Sequence, residues 1–129
     1  MYKRQGYNVV TYIVNFSTNR SKPFLVNYDR LKDISKEWPI QIKSENDFPK
    51  ISPNDMVIDA IFGIGLNRPI EIWVQLLLKH INASRAFKLA VDVPSGLYAN
   101  KAPEDKEAVI YANTCLTFQT PKLLSLIHI

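Results

Sequence analysis

Two acids 33 residues apart, Asp59 within an apolar run and Asp92 at the end of another, each stand beside a loop that could do chemistry. Asp59 sits in Val57-Ile58-Asp59-Ala60-Ile61-Phe62, and the loop Gly63-Ile64-Gly65-Leu66-Asn67-Arg68-Pro69 follows. Asp92 follows the run from Phe87 to Val91 and leads into Val93-Pro94-Ser95-Gly96-Leu97. A carboxylate within or at the end of an apolar strand is costly unless it meets a cation or takes hydrogen bonds. Asp59 and Ser95 offer hard oxygens that, with backbone carbonyls, could hold an alkali or alkaline-earth cation. Equally, Asp59 could simply accept loop amides while Ser95 caps a turn. Asp92, beside Pro94, could serve as general acid and base, or as a hydrogen-bonded turn residue. In the first loop, glycines let backbone amides approach an anion and Arg68 can fork onto phosphate oxygens. The loop lacks the third glycine of G-x-G-x-x-G and Pro69 follows Arg68, so a tight strand-to-helix turn with a surface arginine is the other reading. His80, on a helix, reads as packed or solvated. Zinc-spaced Cys/His clusters, a nucleophile elbow and a P-loop are all missing from the sequence.

These residues need a scaffold that brings the two loops together. The run from Met56 to Phe62 is short, rich in branched residues and not alternating, which predicts a strand buried on both faces of a parallel sheet; the run from Phe87 to Val91 predicts a second. Between them Glu71 to Asn82 predicts a helix with Ile72, Leu76, Leu77 and Ile81 toward the sheet. Strand, helix and strand at this spacing make one βαβ unit. Its two loops would open side by side at the carboxyl ends of the strands, where open α/β sheets place ligands. Upstream, Asn8 to Phe16 and Pro39 to Lys43 predict strands. They flank a helix capped by Asn27, with Val26 and Leu31 as a hydrophobic staple and Leu31, Ile34 and Trp38 on one face. Downstream, Tyr98 to Asp105 reads as a loose surface loop, Glu107 to Ala112 as one helical turn and Thr114 to Phe118 as a last strand.

Composition bounds the class. The 129 residues are 47% apolar, enough for one small core. No apolar stretch approaches the roughly 20 residues a bilayer span needs, and no signal-peptide pattern opens the chain, so a soluble, cytoplasmic protein is expected. Cys115, the one cysteine, fits a reducing compartment and reads as small buried filler. The net charge of +4 comes from residues 1–50, with nine Lys or Arg against five acids, whereas residues 51–129 hold seven of each. The excess is scattered, without the clustered, aromatic-interleaved footprint of a nucleic-acid surface.

Four segments together resemble the NAD(P)H-hydrate epimerase family, the YjeF N-terminal domain. They are Val57 through Pro69, Ile81-Asn82-Ala83-Ser84, Ala90 through Leu97, and Thr114 to Phe118 with Pro121-Lys122, in order and correctly spaced from about Gly6 to Lys122. The resemblance implies an α/β, Rossmann-like three-layer αβα domain with a mostly parallel sheet over residues 1–122, leaving 123–129 as an abrupt tail. It implies an isomerase that interconverts the R and S forms of hydrated NADH or NADPH in nicotinamide cofactor repair. A fused or separate ADP- or ATP-dependent dehydratase and a homodimer are the implied partners, with no nucleic acid and no membrane. Potassium is the implied cofactor, held in part by Asp59 and Ser95. The hydrated cofactor would lie on Gly63, Ile64, Gly65, Leu66, Asn67, Arg68 and Pro69, with Asp92 contacting it and acting in catalysis.

The family's glycine-rich Asn-Asn-Gly-Gly-Asp loop, a source of further substrate and potassium contacts, has no counterpart after Met1. The expectation is therefore an N-terminally truncated fragment with little activity of its own, exposing apolar sheet surface and prone to self-association. A non-catalytic binding or scaffold module of the same fold is the alternative function.

Overall fold

A computed structural model describes residues 7–17, 20–34, 38–63, 68–98 and 105–118. The chain divides into two compact units, Met1–Lys43 and Ser44–Ile129.

In the first unit, β1 (Tyr12–Val14) and β2 (Ile40–Ile42) pair in parallel, Tyr12 opposite Ile40 and Val14 opposite Ile42, joined through helix α1 (Lys22–Ile34). The helix begins five residues before the expected Asn27 cap. Ser21 Oγ accepts the Phe24 amide at 3.3 Å, and Pro23 sits in the first turn, where its missing N–H costs nothing. Asn27 therefore lies inside the helix, and the Ser-Lys-Pro start is the signal that the hydrophobic-staple reading passed over. No residue of α1 is fully buried, and Trp38, placed by the sequence on its apolar face, lies past its end and is 70% exposed.

The second unit carries the candidate site. Its sheet has the order β3-β4-β5, all parallel: β3 (Met56–Asp59), β4 (Phe87–Val91) and β5 (Thr114–Leu116). Asp59 stands opposite Ala90, and Val91 opposite Leu116. Helix α2 (Ile72–Ala83) crosses from β3 to β4, completing the expected βαβ unit. The class is thus α/β with parallel strands and intervening helices, as in Rossmann-like domains.

The buried stripe of α2 is Val74, Leu77, Leu78 and Ile81, a spacing of three, four and seven. Ile72, expected inward, is 76% exposed: the stripe begins at Val74, and Ile72 falls on the opposite side of the first turn. Each buried aliphatic side chain contributes roughly 1.5–3 kcal/mol, which is why a 12-residue helix of marginal intrinsic stability forms here. Just past its C-terminus the buried Lys88 donates from Nζ to the Ser84 and Ala86 carbonyls at 2.8 and 3.1 Å, so the loop that leads into β4 supplies the oxygens that a buried cation needs.

The strands are not buried on both faces as their unbroken apolar character predicts. Met56, Ile58, Phe87 and Leu116 are 43–63% exposed, whereas Asp59, Lys88 and Ala90 are buried. One face of the sheet is covered and the other open, so the run of branched residues marks strand without marking two-sided cover.

Candidate active site

Asp59 ends β3 at 2% exposure and serves as a clasp for both loops. Its Oδ2 accepts the Ser95 amide at 2.7 Å, while Oδ1 accepts the Ser95 hydroxyl at 2.5 Å and the Ile61 amide at 3.3 Å. The Ser95 hydroxyl in turn accepts the Phe62 amide at 3.0 Å. Burial pushes the Asp59 carboxyl above its ordinary value, and the hydrogen bonds from Ser95 and Ile61 oppose that rise. The sequence left Asp59 between cation ligand and acceptor of loop amides; it does accept loop amides.

Ser95 is fully buried and is held from behind as well. The Ile110 amide donates to its carbonyl at 2.9 Å, and Gly96 lies against residues 108 and 109 with φ at +100°. A Cβ on Gly96 would come within 2.2 Å of the Ala108 carbonyl oxygen, so only glycine fits. The backing segment is fixed by Asn82 on α2. Its Nδ2 donates to the Val109 and Glu107 carbonyls at 2.7 and 3.2 Å, and its Oδ1 accepts the Tyr111 amide at 2.8 Å. A 3-10 turn at Lys106–Ala108 overlaps only the start of the helical turn expected over Glu107 to Ala112, since Val109 is already extended; it is capped by Asp105, which also pairs with Lys79 at 2.7 Å.

Asp92 follows β4 with φ at +71°, the one positive φ of a non-glycine residue among the described residues. Such a conformation is tolerated by Asp better than by most side chains. Its N–H donates to the Leu116 carbonyl at 2.7 Å, and its carbonyl accepts the Cys115 thiol at 3.3 Å. Its carboxylate reaches toward the first loop: a Cβ built on Gly63 would stand 3.5 Å from Asp92 Oδ2. Asp59, Gly63, Asp92 and Ser95 are therefore gathered at the carboxyl ends of β3 and β4, as the βαβ spacing predicts.

Arg68 and Pro69 are exposed just before α2, and Ile64, Gly65, Leu66 and Asn67 lie outside the described residues. Two partners were not legible. Tyr98, assigned by sequence to a loose loop, is buried and donates from its hydroxyl to the Arg68 carbonyl at 3.2 Å, tying the two loops together. Cys115, read as buried filler, is half-buried and bonded to Asp92. A tyrosine two residues past Ser-Gly is the only local hint of the first, and nothing local signals the second. His80 is packed, as expected, with its ring 5.4 Å from Phe48 and Nε2 2.7 Å from the Pro49 carbonyl.

Among the described residues no helix is long and apolar enough to cross a membrane, and no group of three or more His, Cys, Asp or Glu residues could hold a metal ion.

Comparison with known proteins adds a family. The model of the family described as YjeF-related protein N-terminus matches residues 2–124. An NAD(P)H-hydrate epimerase of Roseobacter litoralis is 44% identical over 91% of this chain and 57% of its own length. A bifunctional NAD(P)H-hydrate repair enzyme Nnr of Thermofilum pendens is 32% identical over 79% of this chain and 20% of its own. An NAD(P)H-hydrate epimerase of Leuconostoc kimchii is 31% identical over 92% of this chain and 49% of its own. The chain thus spans about half or less of the length of the relatives it matches. No solved structure matches it.

Proposed function

Because the chain belongs to the family of the YjeF-related protein N-terminus, we propose that it forms part of an isomerase that epimerises hydrated NADH and NADPH. The observation that carries this reading is the Asp92 carboxylate aimed at Gly63, the first residue of the glycine loop, beside the Asp59–Ser95 clasp.

In this mechanism the loop from Gly63 to Pro69 receives the dinucleotide, its backbone amides and Arg68 facing phosphate. The reduced nicotinamide lies against Asp92. The Asp92 carboxyl gives a proton to the ring hydroxyl, the C–O bond breaks, and water leaves. The lone pair of the ring nitrogen stabilises the resulting cation. Water then adds to the opposite face and returns its proton to the Asp92 carboxylate, so nothing is consumed. No oxidant is needed, in keeping with an isomerase.

A potassium ion belongs to the same reading, and the donor count supports it. Asp59 accepts three hydrogen bonds where a carboxylate offers about four lone-pair sites. Ser95 Oγ donates once and accepts once, leaving one lone pair. One oxygen site from each residue suits a weakly held monovalent ion completed by carbonyls better than a divalent ion seeking several carboxylates. When bound, the ion supplies positive charge beside an anionic substrate.

The partners follow the same logic. A dehydratase, fused or separate, would take the epimer produced here; the Thermofilum pendens relative is named as bifunctional. The exposed strip of Met56, Ile58, Phe87 and Leu116 would suit a homodimer, which sedimentation at several concentrations would report. A cytoplasmic location would place the protein with its nicotinamide substrate.

The test uses the longest polypeptide the gene encodes. Epimerically pure hydrated NADPH is mixed with it and the second epimer followed by chromatography. Asp92→Asn keeps a side chain that tolerates the left-handed backbone, so the fold should be retained while turnover falls at least 100-fold, the scale of a lost acid–base group. Near-full epimerisation by Asp92→Asn would overturn the role given to Asp92.

A further inference from the structure

Strand β5 grips Asp92 on both sides of its Cα. The amide of Asp92 is bonded to the Leu116 carbonyl at 2.7 Å, and its carbonyl receives the Cys115 thiol at 3.3 Å. Without such restraint a left-handed aspartate is free to relax, carrying its carboxylate away from Gly63. We propose that Cys115 is a positioning residue for the reaction: its thiol, acting with the Leu116 carbonyl, holds the Asp92 backbone at φ +71° and so keeps the carboxylate on the glycine loop.

The residue type suits the task. Cys115 pairs with Ala90 across the β4–β5 ladder, and Ala90 is fully buried on the covered face of the sheet. A thiol is a weak donor with a long bond to sulfur and spans the gap to the Asp92 carbonyl. Valine would fill similar volume with no donor, and serine would donate from a shorter arm. The Leu116 half of the grip is backbone and insensitive to sequence, so Cys115 is the side chain through which β5 can tune Asp92. This inference rests on the acid–base role given to Asp92.

The test separates the two. Cys115→Val, Cys115→Ser, Asp92→Asn and the Asp92→Asn/Cys115→Val double variant are made in the longest polypeptide the gene encodes. Each is assayed for kcat and KM on hydrated NADPH, with thermal unfolding measured alongside. The Cys115 thiol also gives an S–H stretching band in the infrared, identified as the band that Cys115→Val removes. Positioning predicts a band shifted from that of a water-exposed thiol. It predicts that Cys115→Val lowers kcat by roughly three- to tenfold with KM little changed, and that Cys115→Ser recovers part of the loss. Adding Cys115→Val to Asp92→Asn should then cost less than twofold further, because the group being positioned is already gone. If Asp92→Asn is inactive while Cys115→Val keeps wild-type kcat, or if the thiol band lies where a free thiol absorbs, the positioning role is overturned. If Asp92→Asn stays active, the acid–base reading fails and takes this inference with it. A Cys115→Val loss that persists undiminished in the double variant would mark a general packing effect and would also overturn it.

Discussion

Gly63 lies in the first of the site's two loops and Gly96 in the second, and the physics of a single methyl separates their roles. On Gly96 a methyl would strike the Ala108 carbonyl at 2.2 Å and strain a φ of +100°, so Gly96→Ala should cost about 3 kcal/mol or more and be visible in the urea midpoint. On Gly63 a methyl would meet Asp92 Oδ2 at an ordinary contact distance of 3.5 Å. Gly63→Ala should therefore leave the stability within about 0.5 kcal/mol yet fill the space beside Asp92 and abolish binding of the hydrated cofactor, as titration calorimetry would detect. Equal losses of stability at the two sites would contradict this division. Asp59 carries a pH signature. Its carboxyl is raised in the folded chain chiefly by burial, so the neutral form is favoured there. Below its ordinary value of 3.8 the group is protonated in both states and costs nothing. As pH rises toward the raised folded value the unfolded chain ionises first, and stability is lost until the folded carboxyl has ionised too. Asp59→Asn should remove that component, so the difference in stability between the two proteins should change with pH through the acid range and level off above it. A difference that stays flat from about pH 3.5 upward would exclude the effect. Of these residues the sequence announced Asp59, Asp92, Ser95 and Gly63, because an acid in an apolar run and a glycine beside it are chemically odd. It could not announce Cys115 or Tyr98, whose roles depend on hydrogen bonds that no local pattern encodes.

At the scale of elements, helix α2 does more than cross the sheet. Its buried stripe fixes it to the strands, and Asn82, near its end, fastens the segment that backs Ser95 and Gly96. Asn82→Ala would leave the Val109 carbonyl and the Tyr111 amide without that partner, at a cost of about 1–3 kcal/mol. Asn82→Asp would keep the acceptor for Tyr111 but set a carboxylate against the Val109 and Glu107 carbonyls, and should be at least as damaging. Denaturant unfolding of the two variants checks both statements; an Asn82→Ala protein as stable as the parent would show that the clip is dispensable. The βαβ unit was readable because 33 residues separate two acids that both follow apolar runs. The inward phase of α2 was misread at Ile72, since periodicity fixes a stripe but not the residue at which it starts. The early start of α1 was misread because Ser21 with Pro23 competes with Asn27 as a cap, and both choices satisfy local rules.

For the whole molecule, the division into Met1–Lys43 and Ser44–Ile129 places every described candidate site residue in the second unit. The two units differ in how they are held. In the second, α2 buries four aliphatic side chains, and β4 is bonded on both edges by β3 and β5. In the first, α1 buries no residue and a two-stranded ladder of three residues per strand supplies the sheet. Few buried apolar contacts and short ladders are the marks of low-energy local opening. Amide hydrogen exchange should therefore be slowest in β4 and the Val74–Ile81 stretch of α2, and faster by at least tenfold in β1, β2 and α1. Addition of potassium at constant ionic strength should slow exchange at the Ser95 and Ile61 amides, which Asp59 ties down, and leave the first unit unchanged; Asp59→Asn should abolish that response. Uniform protection across both units would mean that they unfold as one cooperative body. A potassium effect confined to the first unit would place the ion away from Asp59.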